Sequence, residues 1–285
     1  MKKILIIGSN GMAGHIIYHY FKGNTEFEVV DIARRDLDHK VCYCMDVMDF
    51  NALNVVLETE LPSVVINCVG VLNKDAEDHP DKAILLNSYL PHFLARAGNE
   101  KKFKLIHIST DCVFKGTKGG YTEHSEKDGI GFYAETKALG EVNYGKHLTL
   151  RTSIVGPELK EDGIGLFHWF MHQKGKVKGY TSAFWTGITT LELAKAINVA
   201  IMQDTMGLHH LVNGEKISKF DLISLFKRIF NRDETIIEPN DAYIVDKSLI
   251  KTKNDFKYIV PSYDKMIEEL RGWIDLHASL YGHNY

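Results

Sequence analysis

Apolar and polar positions follow a regular rhythm through the first half of the chain. Residues 4–7 (Ile-Leu-Ile-Ile) form a fully apolar, branched run, which predicts a buried strand of a parallel sheet. Behind it Met12, Ala13, Ile16, Ile17 and Phe21 recur at helical spacing, so the opening unit is strand, glycine turn and helix. Further strands are predicted over 26–32, 41–47, 63–69, 103–108 and 148–155, the last closed by Gly156-Pro157. Helices fill the intervals: one over 49–58, an amphipathic one over 79–97, and one carrying Tyr133 and Lys137 behind a Gly-, Lys- and Thr-rich loop at 115–131. Asn87, in the middle of the 79–97 helix, is an awkward residue for a helix interior; either it faces solvent or its amide has a task. Strict alternation of strand and helix specifies an α/β fold with a doubly wound parallel sheet and right-handed crossovers.

Beyond Pro157 the rhythm changes. Residues 163–174 read as an aromatic helix, 175–190 as irregular strands and loops, 190–202 as a helix and 209–213 as a further strand of the sheet. An amphipathic helix over 216–230 takes Ser218 as its N-cap, and a final helix covers 263–277. The expected organisation is a nucleotide-binding domain over 1–156, to which 185–213 returns. A smaller, lid-like substrate domain (157–184 and 214–285) then lies over the sheet's carboxyl edge.

Composition narrows the class only modestly. With 285 residues, 45% hydrophobic and 25% charged, the chain has the size of one large or two modest globular domains. A formal charge of −3 gives no electrostatic reason to expect nucleic acid or an anionic membrane as partner. No apolar run approaches a membrane span, and the N-terminus lacks the pattern of a signal peptide. Cys42, Cys44, Cys68 and Cys112 show neither a disulfide framework nor paired metal-ligand spacing. The expectation is a reduced, cytoplasmic protein without a metal.

The chemistry begins in the glycine turn, Gly8-x-x-Gly11-x-x-Gly14. Gly8 permits the sharp turn, Gly11 lets backbone approach a pyrophosphate, and Gly14 lets helix and strand pack closely. The helix N-terminus behind it favours a dinucleotide's phosphates. Asp31, 23 positions after Gly8, ends the second strand, where an acid can bond the adenosine ribose; Arg34 and Arg35 follow, and a guanidinium there suits a 2′-phosphate. The acid argues for NAD and the arginines for NADP. Tyr133 and Lys137 are four apart and stack on one helix face, so the ammonium is expected to lower the phenol's pKa toward a working range. Thr110, at the end of the fifth strand, offers a hydroxyl to polarise a carbonyl beside that phenol.

These pieces carry a family resemblance. GSNGMAG (8–14), NCVGV (67–71), Asn87, STDCVFKG (109–116), YAETKALGE (133–141) and LRTSIVG (150–156) occur in the order and spacing of extended short-chain dehydrogenase/reductases. More narrowly, the chain resembles the dTDP-4-dehydrorhamnose reductase branch of bacterial nucleotide-sugar reductases, with a weaker match through 185–197 and the last helix. The resemblance implies a Rossmann fold and NADP(H) or NAD(H) as cofactor. It implies Thr110, Tyr133 and Lys137 as catalytic residues, and a cofactor site that adds Asn10, Met12, Asp46, Val47, Cys68, Val69, Gly70, Asn87 and Ile108 to the residues above. Val71, Thr110, Asp111, Cys112, Ser153 and Trp185 are then the residues expected toward a nucleotide-diphosphate sugar, with Lys174, Lys176 and Lys178 either meeting the diphosphate or solvated. A homodimer is a candidate assembly.

The chain departs from that branch in the substrate pocket. Cys112 stands where Tyr is common, and no aromatic residue follows Arg151-Thr152-Ser153. A UDP-linked 4-keto-6-deoxy-N-acetylhexosamine is therefore as good a candidate as dTDP-4-dehydrorhamnose. Two other readings remain: an epimerase of the same superfamily, and a non-catalytic subunit, because the fold also resembles the regulatory beta subunit of methionine adenosyltransferase. A dehydratase is disfavoured by the single acid after Thr110.

Overall fold

The computed structural model describes residues 1–37, 39–282 and 285. Alternate residues of β1 (Lys2–Ile7) point to opposite faces of a sheet, and both faces are covered. Ile4 and Ile6, with Ile66 and Ile106 of neighbouring strands, join one core; Leu5 and Ile7, with Val65 and Leu105, join the other. The chain continues through α1 (Met12–Lys22), β2 (Phe27–Ala33), β3 (Tyr43–Cys44), α2 (Phe50–Glu60) and β4 (Val64–Asn67). Then come α3 (Asn73–Asp78), α4 (Pro80–Ala83), a π-helical turn (Ile84–Tyr89) and α5 (Leu90–Lys101). After β5 (Lys104–Thr110) a 3₁₀ turn (Asp111–Val113) leads by a long loop to α6 (Phe132–Leu139) and β6 (Leu148–Thr152).

The second half supplies β7 (Ile154–Val155), α7 (Leu166–Met171), β8 (Gly175–Tyr180), β9 (Ala183–Trp185), β10 (Ile188–Thr189), α8 (Thr190–Met202) and β11 (Gly207–His210). It ends with β12 (Ile217–Ser218), α9 (Lys219–Ile229), β13 (Thr235–Asn240), β14 (Val245–Asp246), α10 (Tyr263–Leu276) and α11 (Ala278–Tyr281). The central sheet runs β11-β6-β5-β4-β1-β2-β3 and is parallel throughout. Strand order reverses between β1 and β4, and the crevice at that point is where a doubly wound sheet takes its ligand.

Several elements differ from the sequence reading. The strand expected over 148–155 breaks at Ser153: β6 stays in the sheet, while β7 pairs with β10, whose Ile188 N–H donates to Ser153 O. A side chain at Gly187 would lie 2.1 Å from that oxygen, so glycine makes this departure possible. The helix expected over 79–97 contains the π-turn, and the one over 163–174 shrinks to α7. The third strand shortens to Tyr43–Cys44, and the added sheet strand is 207–210. Ser218 does cap α9, its hydroxyl accepting from Asp221 N.

A buried ion pair ties the segment after α6 to the sheet. Arg151 grips Glu141 with two hydrogen bonds (2.7 and 2.6 Å) and donates a third to His210 Nε2 at 2.8 Å. Glu141 also accepts from Ser109 Oγ at 2.8 Å, so neither charge lacks partners.

Candidate active site

The turn between β1 and α1 is built from close approaches. Gly8 has φ +88°, and a Cβ there would strike Val69 Cγ2 at 2.9 Å; a Cβ on Gly14 would sit 2.0 Å from Gly8 O. Gly11 is the exposed N-cap of α1, and no side chain caps the helix, so its first amides face the crevice with the positive end of the dipole. Asn10 donates to Arg35 O at 2.5 Å, while its Oδ1 is buried without a partner. Met12 borders Gly165 of the second half.

Asp31 lies near the end of β2, and its carboxylate is engaged within the protein. The residue is fully buried and its carboxylate is occupied: Oδ2 accepts from Ser9 Oγ (2.5 Å) and meets His39 Nε2 (2.9 Å), and Oδ1 accepts from Cys42 N (3.0 Å). Burial alone would raise its pKa, but these hydrogen bonds outweigh burial and leave it lowered. Asp31 fastens β2 to the glycine turn and the segment before β3. Arg34 and Arg35, by contrast, are exposed just beyond it. Asp46 is exposed and accepts from Met48 N at 2.9 Å, and Val47 is a core residue.

At the end of β4, Cys68 and Val69 lie half-buried beside the glycine turn, and Gly70 is exposed. Asn87 does not face solvent. Its Oδ1 accepts from Val71 N (2.8 Å), and its Nδ2 donates to Val71 O (2.9 Å) and to Thr136 Oγ1 (3.1 Å). The amide is thus a clamp that fixes the segment after β4 against α6, and the π-turn is what brings it there. Gly140 completes the junction, since a Cβ would lie 1.8 Å from Asn87 O.

That junction sets α6, and α6 carries Tyr133 and Lys137 toward the end of β5. Thr110 Oγ1 accepts from Cys112 N (3.1 Å) and donates to Asp111 Oδ1 (3.2 Å), and it lies beside the Tyr133 phenol. Burial pushes the phenol up, and the neighbouring Cys112 and Asp111 add to this, against the pull of Thr110. The expected lowering of the phenol by Lys137 is therefore not the state of this structure. Lys137 Nζ instead donates to Ile108 O at 2.7 Å and lies 3.4 Å from His107 Nε2. Burial brings Lys137 down to about 8, against the opposing charges of Glu141 and Cys68.

Beside Thr110 opens a cavity of about 420 Å³. The turn after β5 contributes Asp111 and Cys112, the break after β6 Ser153, and β9 Trp185, as expected for a substrate face. Val71 packs instead with Ala76, Ala83 and Tyr133, outside the cavity lining. Of the lysines expected near a diphosphate, Lys178 lines the cavity, whereas Lys176 pairs with Glu238 at 2.6 Å and Lys174 is not among the lining residues. Lys219 and Lys247 were not foreseen. Burial lowers Lys219, while Asp111 pulls it up; burial in turn raises Asp111 against Lys247 and Lys219. Lys219 is the first residue of α9, where the helix dipole disfavours a cation, and that mismatch is the one signal the sequence offered. Trp169, Tyr180, Phe184 and Tyr243 give the cavity aromatic walls.

Residues 1–247 match the family model described as RmlD substrate binding domain. Methionine adenosyltransferase 2 subunit beta from Bos taurus is 30% identical over 141 residues, 49% of this chain and 42% of that protein. The dTDP-4-dehydrorhamnose reductase of Escherichia coli is 27% identical over 238 residues, 78% of this chain and 76% of that protein. Among solved structures, the Bacillus anthracis dTDP-4-dehydrorhamnose reductase in complex with NADP superposes with a TM-score of 0.81 at 20% identity, covering 96% of this chain and 99% of that one.

Proposed function

The chain belongs to the RmlD substrate binding domain family, and from that premise we propose that it is an NAD(P)H-dependent reductase of the C4 keto group of a nucleotide-linked 4-keto-6-deoxy sugar. The single observation that carries the reading is the cavity itself: Asp111 and Cys112, adjoining Thr110 and Tyr133, share it with Lys178, Lys219 and Lys247. Proton-donating groups and cations around one cavity suit a carbonyl attached to a diphosphate. dTDP-4-dehydrorhamnose and a UDP-linked 4-keto-6-deoxy-N-acetylhexosamine are the substrates in view, as precursors of a bacterial cell-surface polysaccharide.

The glycine turn fits a dinucleotide: bare α1 amides, a buried Asn10 Oδ1 without a partner, and no room for a Cβ at Gly8 or Gly14. With Asp31 occupied and Arg34 and Arg35 exposed, this reading favours NADP(H). When bound, the cofactor supplies hydride to the C4 carbon. Tyr133 passes its phenolic proton to the carbonyl oxygen, and a phenol held neutral by burial keeps that proton until the oxygen gains charge. Thr110 bonds the same oxygen, and Lys137 compensates the phenolate that Tyr133 becomes.

Loss of reduced-nicotinamide absorbance on adding freshly generated dTDP- and UDP-linked 4-keto-6-deoxy sugars tests the reading, with Tyr133→Phe as control. Turnover with one of them, lost in the variant, is the expected result and names the nucleotide. Cofactor binding without turnover on any of them would overturn the reading. It would favour the second one, a cofactor-binding subunit of a larger enzyme, which the relatives named methionine adenosyltransferase 2 subunit beta support.

A further inference from the structure

His107 lies in the middle of β5, level with Asn67 of β4, and is fully buried. The mechanism above assigns it nothing. Its hydrogen bonds nevertheless fix its proton. Asn67 Oδ1 accepts from Val69 N at 3.1 Å, which settles which end of that amide is oxygen. The other end, Nδ2, faces His107 Nδ1 at 3.2 Å, and an amide nitrogen can only donate. Nδ1 is therefore the bare nitrogen, and burial keeps the ring neutral, with Lys137 and His92 acting the same way. A neutral imidazole carries one proton, so it sits on Nε2. Nε2 is the atom 3.4 Å from Lys137 Nζ.

We infer that His107 is a positioning residue for Lys137: the tautomer imposed by Asn67 aims an N–H at the Lys137 nitrogen, so the ammonium gives up its proton more readily than it would beside an acceptor. An N–H facing an ammonium sets donor against donor, whereas an amine offers its lone pair to His107 and still donates to Ile108 O. The other groups around Lys137 oppose this. Glu141 draws it toward the charged form, but is already bound by Arg151 and Lys127; the Cys68 thiol acts the same way and is itself pushed up to about 12. Asp111 and Cys112, on the 3₁₀ turn, act on Tyr133. The π-turn brings Asn87 and Ser88, neither titratable, against α6. The inference rests on the reductase reading only for its consequence, that Lys137 gains or loses charge close to neutral pH.

Selective 15N labelling of histidine reads the tautomer directly in the full-length protein. The expected spectrum has a His107 ring protonated at Nε2 alone, assigned by its loss in His107→Gln. A ring protonated at Nδ1, or at both nitrogens at pH 7, overturns the inference. In a 15N-lysine titration, the resonance lost in Lys137→Met should move its midpoint up by about one pH unit, a tenfold change in protonation ratio, when His107→Gln offers an oxygen instead. An unchanged midpoint overturns the inference too. If His107→Gln does not fold, Asn67→Asp serves: it replaces the donor by an acceptor, and the His107 proton should transfer to Nδ1. Neither spectrum requires turnover, so an enzyme inactive on every sugar tried would refute the reductase and leave this result standing.

Discussion

Two buried aspartates stand at the carboxyl edge of the same sheet, and their surroundings push them in opposite directions. Asp31, near the end of β2, is surrounded by donors from Ser9, Cys42 and His39 and sits below the usual carboxylate range. Asp111, just beyond β5, has weaker partners, borders a cavity and sits above it. Burial is the largest single influence on both. What separates them is whether the fold satisfies the carboxylate itself or leaves that to whatever enters. The first is a fastener; the second is part of a site.

The sharpest way to test that contrast is at the Asp111 end. Tyr133→Phe should lower kcat by about 10²–10⁴ with cofactor affinity kept, measured by steady-state kinetics and cofactor titration. At the other end, Asp31→Ala should leave buried donors without an acceptor and cost about 3 kcal/mol of stability, read by urea unfolding. Because the folded pKa of Asp31 is lowered, its contribution is complete above the unfolded value of about 3.9 and disappears as pH falls through the folded one. The variant should therefore lose less stability than the parent between about pH 5 and pH 3.

Smaller effects refine the comparison. Lys219→Met removes a cation from the cavity and should raise the KM for the nucleotide sugar about tenfold with little change in kcat, the loss of one charge-assisted contact. Joint Arg34→Ala and Arg35→Ala should raise the KM for NADPH about tenfold and leave that for NADH within about twofold, in keeping with an Asp31 carboxylate engaged within the protein. Lys176→Ala, on a lysine already paired with Glu238, should leave both within about twofold.

The contrast between the aspartates also marks how far the sequence could be read. The Gly8 turn, the alternation of strands and helices and the approach of Thr110 to Tyr133 were legible because each depends on neighbours in sequence or on one strand-to-helix register. The engagement of Asp31 is not legible in the sequence, because its donors arrive from Ser9, His39 and Cys42 and only the folded chain brings them to one carboxylate. Lys219 and Lys247 were missed for the converse reason. A three-stranded sheet of β12, β9 and β14 sets the starts of α9 and of the segment after β14 beside Asp111, more than a hundred residues away in sequence. Asn87 was recognised as anomalous, but its partners on Val71 and Thr136 could not be named without the π-turn.

That turn also constrains how the chain can vary in length. A π-turn holds one residue more than the α-helical turn it replaces, and each residue advances a helix by about 100°. Deleting any single residue from 84–89 would give an unbroken α-helix of better local geometry. It would also rotate Asn87 away from Val71, or the apolar stripe of α5 away from the sheet, because both are fixed in place. Along this stretch a shorter chain would form the better helix and lose its grip on α6, so selection on the clamp would act as selection on residue count.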